Sequence, residues 1–195
     1  MAARDEILAA LRAAVPAPVP LPEIGRMEAV RYPDLRERFA KSVVEVGGRC
    51  VTVEGPLEAA LMGIPEYASA RKVVSLVPGV GKANVELAGV ADPHALHDVD
   101  FCVLPAELGV GENGACWIVQ HGAGNRAACF LTQHLAVVVR AETLVHNLHE
   151  AYARIAIPSP GFAMWLSGPS KTADIEQALV IGAHGARSCT VLLTS

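Results

Sequence analysis

Short apolar runs recur along this chain and alternate with segments of helical periodicity. Runs with the length and composition of strands cover residues 49–53, 72–77, 99–104, 115–120, 135–140, 162–166 and 189–193. Helices are predicted for residues 34–46, 57–62 and 142–155. Strands separated by helices favour a mostly parallel sheet with helices on both of its faces. The predicted fold class is therefore α/β, built as three layers of helix, sheet and helix.

Composition and charge indicate which residues fill the core and which partners are excluded. The chain has 195 residues, of which 52% are hydrophobic but only 5% are aromatic. Ala, Val and Leu therefore fill the core, which suits the buried strands of a parallel sheet. A net charge of -4, with Lys and Arg scattered along the chain, leaves no cationic surface for a phosphate backbone. Nucleic acid is not expected as a partner.

The N-terminal region is predicted to be an arm. Residues 4–14 have the pattern of an amphipathic helix, and prolines at positions 16, 18, 20 and 22 make the following segment a stiff tether. Such a tether can wrap its own domain or a neighbouring subunit, and the sequence leaves both open. We therefore divide the chain into an arm, residues 1–32, and an α/β domain, residues 33–195.

The sequence carries no signal for export or for a membrane span. Charges at Arg4, Asp5, Glu6 and Arg12 interrupt any signal peptide, and no run of 18 uncharged apolar residues follows. The predicted location is the cytoplasm. The five cysteines are an odd number without a C-x-x-C pair. They predict neither a disulfide framework nor an iron–sulfur cluster, and we interpret them as small buried hydrophobes.

Glycine and polar residues gather in three loops that follow predicted strands, at residues 78–84, 107–115 and 167–174. Open parallel sheets bind ligands at the carboxyl ends of their strands, so we expect the three loops to build one ligand site. In the first loop, Gly79, Gly81 and Lys82 are candidates to hold a phosphate or carboxylate. Asn84 stands where a dinucleotide-binding motif needs its third glycine, and a plain turn is the alternative.

Glu112 lies between glycines in the second loop, at a predicted tight turn before a buried strand. Its carboxylate would be exposed at the edge of the sheet, in a setting suited to a nucleophile. We predict that Glu112 is catalytic and that Asn113 and Gly114 bind the ligand. A structural Glu–Asn turn is the alternative.

The stretch SGPSKTADIEQALVIGAHG, residues 167–185, concentrates groups that bind small anions. Free N–H groups at the start of a helical turn, together with hydroxyls and a cation, make an anion site. The ligand-binding candidates are Ser170, Lys171, Thr172, Glu176, His184 and Arg187, and Asp174 is a second catalytic candidate. In the alternative interpretation, the hydroxyls only cap the turn and Asp174 pairs with Arg187.

The segment HNLHEAY, residues 146–152, places His146, His149 and Glu150 within one helical turn. These are candidate metal ligands by spacing. Their order differs from the zinc-binding H-E-x-x-H helix, and no motif places a third ligand, so a polar helix face is the alternative. No cofactor is predicted for this chain.

The pattern SGPSxTADIE followed by GxHGxR closely resembles the C-terminal signature of the LUD domain, the domain of lactate utilization protein C. The resemblance implies the fold shared by CoA-transferases, ribose-5-phosphate isomerase and glucosamine-6-phosphate deaminase. It also implies a role in oxidising L-lactate to pyruvate together with partner subunits that carry iron–sulfur clusters. A segment like HNLHE recurs in the family, which leaves a ligand-facing role for His146 or His149 open.

Residues 111–114 resemble in addition the ENG signature of CoA-transferases, in which the Glu forms a covalent acyl intermediate. Two further functions therefore stand beside a component of lactate utilization that binds a small anionic molecule. One is a stand-alone enzyme of this fold that uses Glu112 or Asp174 as base or nucleophile. The other is a ligand-sensing module whose arm docks on a partner.

Overall fold

Strands and helices alternate along the chain in the computed structural model, which describes residues 2–20, 29–120, 126–157, 161–172 and 180–195. Within these ranges the strands are β1 (Arg49–Thr52), β2 (Val73–Ser75), β3 (Phe101–Pro105), β4 (Leu108–Val110), β5 (Cys116–Gln120), β6 (His134–Arg140), β7 (Leu144–Val145), β8 (Phe162–Leu166), β9 (Lys171–Thr172), β10 (Val180–Ile181) and β11 (Ser188–Thr194). The α-helices of the same ranges are α1 (Ala2–Ala13), α2 (Leu35–Glu45), α3 (Leu57–Met62), α4 (Pro65–Ser69), α5 (Ala128–Leu131) and α6 (Leu148–Tyr152).

Five of these strands form a central sheet in the order β1-β11-β6-β3-β2. Every neighbouring pair in it is parallel. In the middle of the sheet, Val137 of β6 lies between Val191 of β11 and Leu104 of β3. The predicted α/β class with a mostly parallel central sheet is confirmed.

Side chains along each central strand alternate between two core clusters, as the two-residue period of a strand requires. In β3, Cys102 and Leu104 belong to one cluster, whereas Phe101 and Val103 belong to the other. All four are buried. Both faces of the sheet are therefore covered, which explains why the sequences of the central strands are continuous apolar runs.

The helices α3 and α4 cover the face of the central sheet that carries Phe101. Leu61 of α3 and Tyr67 of α4 are fully buried in that cluster, and the Tyr67 ring meets the Phe101 ring edge-on at 5.2 Å. Edge-to-face pairs of this kind stabilise a core beyond the area they bury. This face agrees with the predicted layer of helices.

A second sheet, in the order β7-β4-β5-β8, covers much of the opposite face together with α2. The expectation that β5 and β8 belong to the parallel sheet is wrong, because β5 pairs antiparallel with both β4 and β8. The strand β4 was not predicted. Residues 111–115 connect β4 to β5, and so short a connection has no room for the crossover helix that a parallel pair needs.

The predicted helix over residues 142–155 is also wrong. A short 3₁₀ helix (Ala141–Thr143) and β7 occupy its first part, and α6 occupies only residues 148–152. The reason lies at Asn147, whose backbone is extended and whose side-chain oxygen accepts the N–H of Glu150. This N-cap starts a new helix in the middle of the predicted one.

The N-terminal helix α1 is present, close to the range predicted for it. Residues 15–20 have no regular secondary structure and are exposed, as the alternating prolines predict. Among the described residues, no helix has both the length and the apolar character needed to cross a membrane.

Candidate functional site

A cleft of about 320 Å³ lies where β8 ends, beside the first residues of β6 and β11. We call it the Lys171 cleft. Its lining consists of Cys129, Phe130, Leu135, Met164, Trp165, Leu166, residues 167–171 and residues 184–186. The structure therefore brings Ser170, Lys171 and His184, three of the predicted ligand-binding residues, to one cavity.

The loop of residues 167–170 forms one wall of the Lys171 cleft, and glycine determines its path. Gly168 has φ +74°, and a Cβ at this position would lie 2.6 Å from the carbonyl oxygen of Val46. A side chain would therefore meet both backbone strain and a clash. The hydroxyl of Ser167 donates to the carbonyl of Asn113 at 3.0 Å and ties the loop to the β4–β5 turn.

Lys171 supplies the positive charge of the cleft. Its Nζ donates to the carbonyl oxygen of Val46 at 2.7 Å and to that of Ser167 at 3.2 Å. Val46 is the C-cap of α2, so the ammonium also lies at the negative end of the helix dipole. An ammonium group carries three protons, and among the described residues these two carbonyls are its hydrogen-bond acceptors.

Ser170 joins the loop to the opposite wall of the cleft. Its N–H donates to the carbonyl of Ala186, and its carbonyl accepts the N–H of Gly182, both at 2.9 Å. Gly185 lies so close that a Cβ there would be 3.1 Å from Ser170 Cβ. Gly185 of the GxHGxR pattern therefore allows this wall to approach the serine.

Apolar side chains form the floor of the Lys171 cleft, which the sequence analysis did not identify as part of a site. Met164 and Leu166 come from β8, and Phe130 comes from α5. Burial raises the pKa of the Cys129 thiol to about 11, so it stays protonated at neutral pH. The apolar run FAMWL, residues 162–166, could have indicated this floor, because it directly precedes SGPSK, residues 167–171, and both segments line the cleft.

The other candidates of this stretch do not line the cleft, apart from His184, which lies at its exposed rim. Thr172 is half-buried in β9, whose partner strand is β10. His184 and Arg187 are exposed, and the N–H of Arg187 donates to the carbonyl of Gln133 before β6. Asp174 and Glu176 lie outside the described residues, so the predicted Asp174–Arg187 pair and the catalytic role of Asp174 stay predictions.

The expectation that the three glycine-containing loops meet at the carboxyl ends of the central strands is wrong. The Lys171 cleft lies beside the amino ends of β6 and β11, whereas residues 78–84 follow the carboxyl end of β2. In that loop, the Gly81 N–H donates to the Glu58 carboxylate, and Lys82 Nζ donates to the carbonyls of Tyr67 and Ala68. These bonds hold the loop to α3 and α4, as in the alternative of a plain turn. Gly79, at φ +80°, has open space around it.

Close packing against α2 accounts for the glycines around Glu112. A Cβ at Gly109 would lie 2.8 Å from the Phe39 ring, and one at Gly111 would lie 2.6 Å from Leu35. A Cβ at Gly114, where φ is +66°, would lie 2.8 Å from the backbone of Val43. The pattern GVGENG therefore has a packing explanation, because only glycine lets the β4–β5 turn approach the helix so closely.

The Glu112 carboxylate is directed at α6. Its Oε1 accepts the N–H of Leu148, the first residue of that helix, at 2.9 Å. The N–H of Glu112 donates to the carbonyl of His146, and the guanidinium of Arg38 donates to the Glu112 carbonyl. Glu112 therefore stabilises the start of α6. Asn113 Oδ1 accepts the N–H of Ala115 and so shapes the turn.

The candidate metal ligands of the HNLHE segment take part in a hydrogen-bonded network with the end of the arm. His146 Nδ1 accepts the N–H of Tyr32 at 3.0 Å, so this nitrogen is not available to a metal. Glu150 accepts the N–H of His146 and forms an ion pair of 2.9 Å with Arg31. Among the described residues, no group of three or more His, Cys, Asp or Glu side chains is placed to hold a metal ion.

Comparison with solved structures finds the same fold in a protein from Deinococcus radiodurans. The crystal structure of that DUF162 family protein is similar with a TM-score of 0.59 and 19% sequence identity, over 83% of this chain and 96% of that chain. The LUD domain family model matches residues 85–194, which is more than half of the chain. The chain belongs to the LUD domain family. No curated protein matches it.

The matched region places the cleft within the LUD domain. Every lining residue of the Lys171 cleft lies between positions 129 and 186, inside the matched range. The helices α1 and α2 lie before that range. The LUD domain family is linked to lactate utilization in general.

Proposed function

We propose that this protein is a component of L-lactate utilization that binds a small organic anion in the Lys171 cleft and works with iron–sulfur partner subunits. The observation that carries the proposal is the combination of one ammonium group with an apolar floor, inside the region that matches the LUD domain. Oxidation of L-lactate to pyruvate removes two electrons and two protons. We assign these electrons to the partners, because the five cysteines lack the spacing of a cluster motif.

The lining of the cleft suits a carboxylate with a short carbon chain. With two acceptors among the described residues, the Lys171 ammonium can offer its third proton to a carboxylate oxygen, and Ser170 lines the same cleft. Met164 and Leu166 offer an apolar surface for a methyl group. Small-molecule sites commonly combine such apolar walls with a few polar groups that fix the orientation of the ligand.

Binding is tested by isothermal titration calorimetry with L-lactate, pyruvate and inorganic phosphate, using the purified protein and two variants. Lys171→Met removes the ammonium from the cleft. Lys82→Met is the matched control, because Lys82 also donates to two backbone carbonyls but lies outside the cleft. We expect Lys171→Met to weaken binding of the carboxylates at least tenfold and Lys82→Met to leave it unchanged. Equal binding by both variants would contradict the assignment of the cleft.

The physiological role is tested by growth on L-lactate as sole carbon source. A deletion strain should fail to grow, and the intact gene should restore growth. The gene carrying Lys171→Met should restore it poorly, while the gene carrying Lys82→Met should restore it fully. Normal growth of the deletion strain would refute the role in lactate utilization whatever the cleft binds.

A further inference from the structure

The Lys171 cleft has room for a ligand larger than lactate. Its volume is about 320 Å³. Sites of about 300–1,000 Å³ are typical of ligands of drug size, which such sites bury over most of their surface. L-lactate has a chain of three carbons, and its apolar part is a single methyl group. It would therefore leave much of the lining of the cleft in contact with water.

Phe130 is the apolar lining residue with the most open surface. It is 48% exposed, whereas Met164 and Leu166 are half-buried and Leu135 is buried. Burial of apolar surface stabilises a complex roughly in proportion to the area that is removed from water. A ligand side chain that covers Phe130 would therefore add to the affinity that the Lys171 ammonium provides.

The ring of Phe130 continues the apolar floor of the cleft. It meets the Phe162 ring edge-on, with 6.2 Å between the ring centroids and an angle of 75° between the ring planes. Phe162, Met164 and Leu166 alternate along β8, so their side chains lie on the same face of that strand. The Phe130 ring therefore packs over the face of β8 that carries the floor.

Gly185 brings Phe130 close to the polar groups of the cleft. A Cβ on Gly185 would lie 3.4 Å from Ser170 Oγ and 3.6 Å from the carbonyl oxygen of Phe130. Ser170 and Phe130 are therefore neighbours across Gly185, and Lys171 follows Ser170 directly in the chain. A ligand whose carboxylate lies at Lys171 and Ser170 can reach Phe130 with a side chain of a few carbons.

The charges of the cleft favour a ligand with a single carboxylate. Among the described residues that line the cleft, Lys171 is the one Lys or Arg, and none is Asp or Glu. A second carboxylate or a doubly charged phosphate would have no second cation there, and an unpaired charge beside apolar walls is unfavourable. A monocarboxylate with an apolar side chain fits both the ammonium group and the floor.

We propose that the Lys171 cleft binds 2-hydroxy monocarboxylates with a branched or aromatic side chain in preference to L-lactate, and that Phe130 determines this specificity. The inference rests on the proposed function, because it takes the Lys171 cleft as the site of the carboxylate. The larger side chain displaces water from Phe130, Met164 and Leu166. Each methylene group that becomes buried strengthens binding about fourfold.

Calorimetric titration of the full chain with L-lactate, L-2-hydroxybutanoate, L-2-hydroxy-4-methylpentanoate and L-3-phenyllactate tests the specificity. The last two should bind roughly tenfold more tightly than L-lactate or better, as the burial of several carbons predicts. Phe130→Ala should reduce this preference to about threefold or less and leave the affinity for L-lactate nearly unchanged. Leu131→Ala is the matched control, because Leu131 is the next residue, is 38% exposed and does not line the cleft. Circular dichroism checks that both variants are folded.

Two results would overturn the inference alone. One is equal affinity of the wild-type protein for all four acids, and the other is a Phe130→Ala variant that keeps the full preference. In either case the cleft assignment stands if Lys171→Met still weakens binding of L-lactate.

The neutral analogue 2-phenylethanol, which has the ring but no carboxylate, separates the cleft from unspecific apolar binding. It should bind at least tenfold more weakly than L-3-phenyllactate, and Lys171→Met should not change its affinity. If Lys171→Met leaves the binding of all four acids unchanged, the acids bind elsewhere, and both the proposed function of the cleft and this inference are wrong.

Discussion

The N–H of Leu148 donates to the Glu112 carboxylate at 2.9 Å, across 36 positions of the chain. Through this bond the turn between β4 and β5 holds the first residue of α6. The residue that the sequence marks as a nucleophile is therefore also part of a helix terminus. The two roles lead to different consequences of substitution.

Glu112→Ala should destabilise the protein more than Glu112→Gln. Alanine leaves the Leu148 N–H without its acceptor, which costs about 1–3 kcal/mol, whereas the glutamine carbonyl can still accept the bond. The free energy of unfolding in urea measures the difference. Equal losses for the two variants would show that the hydrogen bond contributes little.

Growth on L-lactate separates the structural role of Glu112 from a catalytic one. With a structural role only, the gene carrying Glu112→Gln should support growth like the wild type, because an amide keeps the acceptor. An amide is a poor nucleophile, so a catalytic Glu112 predicts loss of growth in a variant of normal stability. Loss of growth in a stable Glu112→Gln variant would support a stand-alone enzyme in which Glu112 acts as base or nucleophile.

Gly168→Ala should be more destabilising than Gly79→Ala. Both glycines have φ near +80° in the left-handed region, so the backbone strain of an alanine destabilises the folded state by about 1–2 kcal/mol at either position. Only at Gly168 would the new Cβ also lie 2.6 Å from the Val46 carbonyl oxygen. Urea unfolding of both variants isolates the steric contribution. If the two losses are equal, the loop has enough freedom to move away from Val46.

Asn147→Ala should loosen the end of the arm as well as α6. Asn147 is 1% exposed, accepts the N–H of Glu150 and donates to the carbonyl of Val30. We expect a loss of about 1–3 kcal/mol and faster tryptic cleavage after Arg31. Asp92→Ala is the control, because Asp92 caps an exposed 3₁₀ helix through a similar side-chain bond. Unchanged cleavage in Asn147→Ala would show that the other contacts of residues 30–32 suffice.

Asp100 should make stability depend on pH in the acidic range. Its carboxylate accepts the N–H groups of Lys72 and Arg71, and these bonds lower its pKa. A carboxyl with a lower pKa in the folded state stabilises the protein above its ordinary pKa of about 3.9. That contribution is lost as the pH falls through the folded-state pKa. Asp100→Asn should flatten the decline of the urea midpoint between pH 5 and 3, and an unchanged slope would contradict the assignment.

The sequence predicted the strands of the central sheet well, because strands that are buried on both faces have continuous apolar sequences. The run of residues 135–140 predicted β6, and Asp34 stands where its side chain caps α2. The prediction failed for residues 142–155, where the apolar pattern fits a long helix. Asn147 has an extended backbone there and caps α6. Its side-chain amide also donates to the carbonyl of Val30, more than a hundred positions earlier, and no local pattern predicts this contact.

The sequence by itself determined the α/β class and the positions of the buried strands, and it predicts a ligand site in residues 167–185. Only the tertiary structure decided that β5 and β8 pair antiparallel in a second sheet and that Lys82 donates to two carbonyls of α4 while Lys171 lines a cleft. Periodicity reports which side of an element is buried, and glycine and proline report the local backbone. The partner of a strand or of an ammonium group depends on contacts between distant segments, which no local pattern records.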